Sequence, residues 1–88
     1  MSAWSSVFTV EAEGDFKRLD SATRNRVRVK LAWIQERMAQ IKHEPLHAQW
    51  KGFYKLRLGD WRLVYEIEHA AHRIIVHRIR KRDEVYRI

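Results

Sequence analysis

The stretch Gly52-Phe-Tyr-Lys-Leu-Arg-Leu-Gly-Asp-Trp-Arg-Leu-Val-Tyr-Glu-Ile67 decides the fold. Leu56 and Leu58 alternate before Gly59-Asp60, and Trp61, Leu63, Tyr65 and Ile67 alternate after it. Two residues of turn chemistry between two such runs predict a β-hairpin, and glycine in the first position suits a type II′ turn. A two-residue loop sets the register, so Leu58 is expected opposite Trp61 and Arg57 opposite Arg62. Strand side chains alternate between faces, which puts Lys55, Arg57 and Arg62 on one face and Leu56, Leu58, Trp61, Leu63 and Tyr65 on the other. Like charges directly opposite each other destabilise a strand pair, by up to about 1 kcal/mol. A face carrying three cations therefore asks for an anionic partner.

The rest of the chain agrees with that demand. Eighty-eight residues leave room for one domain, 1–88, and a composition 45% hydrophobic and 11% aromatic can fold. Net charge is +7 and the pI near 10.3, a balance that favours nucleic acid or another polyanion. Residues 1–50 hold eight Lys/Arg against six acids and residues 51–88 hold ten against five, so the excess lies with the hairpin. The absence of cysteine excludes disulfides and a thiolate zinc site. No apolar run reaches the ~18 residues of a membrane span and the first residues lack a signal-peptide pattern, so a soluble cytoplasmic protein without a membrane partner is expected.

Ser5 to Val10 reads as a short strand and Glu11 to Leu19 as a short helix. Asp20 and Ser21 are N-cap candidates for a longer helix in which Val27, Leu31, Ile34, Met38 and Ile41 recur at helical spacing. Arg24, Arg26, Arg28, Lys30 and Arg37 lie off that stripe, as a solvated face or a secondary phosphate-contacting surface. Pro45 breaks the pattern, so Lys42 to Lys51 is expected to be a loop that packs Leu46 and Trp50 onto the core. After the hairpin, Glu68 to His72 reads as a turn and Ile74 to Ile79 as a third strand. If Ile67 faces Arg73, then Arg62 faces Arg78, and Ile75, His77 and Ile79 join the core. The order is β-α-α-β-β-β: an α+β fold with a small, mostly antiparallel sheet and two N-terminal helices on one face.

Chemistry concentrates in Lys55, Arg57, Arg62 and Arg82, with Tyr86 four residues beyond. Cleaving RNA by phosphoryl transfer needs cations for the extra charge of a pentacoordinate phosphorus, a base for the attacking hydroxyl and an acid for the leaving oxygen. A lysine among arginines has its ammonium disfavoured, which makes Lys55 a candidate base; Tyr86 would transfer a proton or stack on a nucleobase. A plain phosphate-binding patch needs the same cations and no chemistry, and the residue types leave both readings open. Metal binding is not expected. His43 and His47 are separated by Pro45, and His69 and His72 have no third ligand at a recognisable spacing.

Trp50 to Ile67, together with Ile79-Arg-Lys-Arg-Asp-Glu-Val-Tyr-Arg87, resembles the RelE/ParE superfamily of small bacterial toxins, on the RelE side. Arg80-Lys81-Arg82 departs from relatives that carry Gly-His-Arg or Gly-Lys-Arg at this point. The resemblance implies a ribosome-dependent mRNA endoribonuclease that needs no cofactor. In such toxins the ribose 2′-hydroxyl attacks the adjacent phosphate. It implies Lys55 as general base, Arg57, Arg62 and Arg82 as charge stabilisers, and Tyr86 for stacking or proton transfer. Lys51, Arg78, Arg80 and Lys81 are then expected to hold RNA. The implied partners are the ribosome and mRNA, a cognate antitoxin and, through the antitoxin, operator DNA. A ParE-like toxin that binds DNA gyrase is the alternative, and a non-catalytic RNA- or ribosome-binding module is another.

Overall fold

The computed structural model describes residues 3–84. Strand β1 (Ser5–Phe8) leads into helix α1 (Val10–Lys17) and helix α2 (Ser21–Glu36). A two-residue strand β2 (Glu44–Pro45) and a single 3₁₀ turn (Ala48–Trp50) precede β3 (Tyr54–Leu58), β4 (Trp61–Glu68) and β5 (Arg73–Lys81). The sheet runs β1-β5-β4-β3-β2, antiparallel except where β1 lies parallel to β5. The α+β order holds through the four longer strands. Loop residues Glu44 and Pro45 add the fifth strand by pairing with Lys55 and Tyr54.

Both helices begin on side-chain caps. Thr9 Oγ1 accepts from the Ala12 N–H at 3.2 Å, and Asp20 Oδ1 accepts from the Thr23 N–H at 3.3 Å. The α2 stripe Val27, Leu31 and Ile34 is buried against Leu58, Leu63, Tyr65, Ile74, Val76 and Ile79. Met38 and Ile41 lie beyond the helix end at Glu36, yet still pack on that core.

The hairpin register is as the turn predicts, with Leu58 opposite Trp61 and Arg57 opposite Arg62. Gly59 takes φ +60°, the positive first position of a type II′ turn. On β5 the expected register is corrected. Ile67 pairs with Ile74 and Arg62 with Arg80, because a bulge between Val64 and Tyr65 skips His77. One extra residue exchanges the faces. Ile74, Val76 and Ile79 therefore enter the core, while Ile75 and His77 do not. His77 instead meets Glu66 Oε1 at 2.7 Å and the Phe53 ring at 4.8 Å on the opposite face. The carbonyl of His77 accepts from the Thr9 hydroxyl at 3.2 Å, so α1's cap also satisfies the bulge.

Leu46 and Trp50 do not join the helix-side core. They pack with Val64 and Phe53 in a second cluster on the far face, because β2 draws the loop across to that side. Part of the cationic face is thereby walled rather than open.

Candidate active site

Three strands put three arginines side by side. Arg57 on β3 opposes Arg62 on β4, which opposes Arg80 on β5. One step along, Lys55 opposes Val64, which opposes Arg78. Cross-strand neighbours stand about 5 Å apart at Cβ, so the Arg57–Arg62–Arg80 row is a continuous band of positive charge. Its members are held differently. Arg57 is exposed and only grazes Glu44, at 3.4 Å. One Arg62 amino group donates to the carbonyls of Gly59 and Trp61, at 2.7 and 2.8 Å.

Arg80 and Arg78 turn toward Asp15, a buried carboxylate on α1. Arg78 Nε donates to Asp15 at 2.9 Å and Arg80 Nε lies 3.3 Å from it. Arg18 and the backbone N–H of Ile79 complete the shell, at 2.7 and 3.0 Å. The buried acid is therefore compensated by three guanidinium groups and an amide, and it fixes the outer end of the arginine row.

Lys55 is half-buried, with its ammonium 3.2 Å from Glu44 Oε2. That oxygen also takes the Arg57 contact. The hydrogen bond from Lys55 holds the Glu44 carboxyl below the usual carboxylate range, helped by the charges of Lys55 and Arg57 against some loss of hydration. The cation cluster foreseen around Lys55 thus contains an anion. Glu44 went unrecognised because it reaches Lys55 only by pairing β2 with β3; its one sequence signal is its place beside Pro45, at a strand edge where proline is tolerated.

The remaining expected residues are spread around this centre. The Arg82 N–H donates to the carbonyl of Asp60 at 2.8 Å, which ties the tail to the hairpin turn. A cavity of about 400 Å³ lined by Asp60, Lys81, Arg82 and Asp83 opens there. Lys55 lies four residues before Gly59, about 13 Å along the strand. Lys81 stands over Trp61, 5.9 Å from its ring, at the core-packed side of the tip. Lys51 is exposed beside the 3₁₀ turn, and Tyr86 lies outside the described residues. Among the described residues no three His, Asp or Glu side chains converge as metal ligands.

The helix side holds one further polar pair. His43 lies between the Met38 carbonyl, 3.3 Å from Nε2, and the Tyr65 hydroxyl, 2.6 Å from Nδ1. A carbonyl only accepts, so Nε2 carries a proton, and in that tautomer Nδ1 accepts from the Tyr65 hydroxyl. Burial raises the Tyr65 hydroxyl's pKa well above its ordinary value, and it stays a donor.

Residues 7–86 match the family model of the ParE toxin of type II toxin–antitoxin systems. Among solved structures, a chain of the toxin–antitoxin complex RelBE2 from Mycobacterium tuberculosis is 23% identical. The match covers 90% of this chain and 98% of that one, with a TM-score of 0.79. The isolated RelE toxin of E. coli is 25% identical over 96% of this chain and 92% of that one, with a TM-score of 0.74. The YoeB/ParE toxin from Agrobacterium tumefaciens is 20% identical over 88% and 96%, with a TM-score of 0.71. No curated protein sequence matches.

Proposed function

The chain belongs to the ParE toxin family of type II toxin–antitoxin systems, and from that premise we propose that it is a ribosome-dependent, metal-independent mRNA endoribonuclease. The observation that carries this reading is the Lys55–Glu44 pair, 3.2 Å apart, beside the row Arg57–Arg62–Arg80. A plain phosphate-binding patch has no use for a carboxylate among its cations, whereas proton transfer does.

In this mechanism the scissile phosphate lies over the arginine row, with Arg82 at the hairpin end. Glu44, ionised at neutral pH, takes the proton of the neighbouring ribose 2′-hydroxyl. The 2′-oxygen bonds to phosphorus and the bond to the 5′-oxygen breaks. Lys55 donates a proton to that leaving oxygen, and the proton on Glu44 then returns to Lys55. The products are a 2′,3′-cyclic phosphate and a 5′-hydroxyl. Arg57 and Arg62 stabilise the charge that grows on the phosphate, where each such donor contributes on the order of 10²-fold or more in rate. Glu44 takes the base role in this mechanism in place of Lys55, because its carboxyl is held below the usual carboxylate range and is therefore ionised. Tyr86 is assigned to stacking or proton transfer.

A cognate antitoxin would cover the cationic face and, in doing so, bring the complex to operator DNA. Several structural relatives are toxin–antitoxin complexes, and a net charge of +7 suits an acidic partner segment. The matching family model bears ParE's name, which keeps DNA gyrase binding as the second reading. Induced expression separates the two. Rapid loss of translation with mRNAs cut inside codons supports the nuclease. DNA damage with intact mRNA would support gyrase poisoning and overturn it.

A further inference from the structure

Next to the Lys55–Glu44 pair, the cationic face runs into a cavity of about 350 Å³ lined by Glu44, Pro45, Leu46, His47, Trp50 and Lys55. The segment that supplies its wall is unusual in two respects. Ala48, between the lining residues His47 and Trp50, takes φ +56°, a left-handed conformation that side chains with a Cβ disfavour and that recurs at ligand clamps. Trp50 Nε1 is buried with no hydrogen-bond partner among the described residues, although buried indole N–H groups ordinarily find one.

We propose that this cavity receives a nucleobase of the RNA, the one carried by the ribose next to the scissile phosphate. The inference rests on the nuclease reading and extends it to substrate recognition. Glu44 and Lys55 belong to both places, so a ligand in the cavity touches the groups that act on the phosphate. RNA is read mostly through bases splayed out of the strand, held by stacking on flat side chains and by bonds to their edges. Trp50 and His47 supply flat rings, and Pro45 and Leu46 supply apolar wall. Glu44 is an acceptor for an amino group and Lys55 a donor for a ring nitrogen or carbonyl. A bare phosphate gains nothing from Pro45, Leu46 and Trp50, and the Glu44 carboxylate repels it. The volume falls at the small end of ligand sites, which suits one base and not a helix.

The test is a titration of the ¹⁵N-labelled full chain with AMP, CMP, GMP and UMP, and separately with ribose 5-phosphate and inorganic phosphate. The readout is the Trp50 indole N–H resonance, assigned with Trp50→Phe. Nucleotides are expected to shift it, whereas ribose 5-phosphate and phosphate leave it in place. An equal response to inorganic phosphate, or none to any nucleotide, overturns the proposal. A response to the antitoxin but to no nucleotide also overturns it and makes the cavity a protein-docking site. In the cleavage assay, His47→Ala is expected to raise KM on the order of fivefold or more through lost stacking, with a smaller change in kcat. An unchanged KM counts against it. A protein that binds nucleotides here but cuts no RNA would sink the nuclease and leave this binding site standing.

Discussion

Arg57 sits where folding and function ask for opposite things. It faces Arg62 across the hairpin, and its contact with Glu44 is long and exposed. Arg57→Gln is expected to leave thermal stability unchanged or raise it by a few tenths to about 1 kcal/mol. The same change should cut the cleavage rate on the order of 10²-fold. Melting curves with and without phosphate check the first half, since phosphate should raise the wild-type Tm more than the variant's. Glu44 makes a pH prediction. Its carboxyl is held below its ordinary 4.5 when folded, so the folded chain binds fewer protons than the unfolded chain as pH approaches that value. Its contribution is therefore present above about pH 4.5 and lost as pH falls through the lower folded value. Asp20, lowered mainly by its side-chain hydrogen bond to Thr23, acts in the same direction below 3.8. Tm should hold from neutral pH to about 5 and then fall, and Glu44→Gln should flatten part of that fall. An acid limb as steep in the variant as in the parent would contradict the assigned ion pair.

At the scale of elements, Asp15 joins helix α1 to strand β5, 63 residues away from Arg78. Asp15→Ala leaves two buried-edge arginines and the Ile79 N–H without their acceptor. The expected loss is on the order of 3 kcal/mol, or about 12 °C or more in Tm for a domain of this size. Tyr65→Phe removes the donor to His43 and should destabilise by about 1–3 kcal/mol, read from denaturant midpoints. These elements also mark what could be read from sequence. The hairpin was legible to the residue because Gly59-Asp60 leaves one register, and the α2 stripe was legible from its period. The register of β5 was not, since nothing in Ile74 to Ile79 announces that His77 will be skipped by a bulge. The basic half of the site was visible as an alternation of cations. Its two acids were not, because Glu44 and Asp15 meet their arginines and lysine only through strand pairing and helix docking. Patterns within one element show in a sequence, whereas contacts between distant elements do not.

For the whole molecule, one sheet divides two tasks. Its helix side buries the core, and its far side carries the arginine row between the Asp15 anchor and the Lys55–Glu44 pair. With a net charge of +7, the proposed RNA binding should weaken with salt, and Arg57→Gln should lower the slope of log K against log salt by about 0.7 for a single strand. The proposed function has this face perform chemistry on RNA rather than merely hold it. The most direct test incubates the purified protein with ribosomes paused on a defined mRNA in the presence of EDTA, and identifies the new ends. Cuts inside the codon that leave a 2′,3′-cyclic phosphate and a 5′-hydroxyl are expected, reduced on the order of 10²-fold in Glu44→Gln and Lys55→Ala. Intact mRNA, or cleavage undiminished in both variants, would contradict the proposed function.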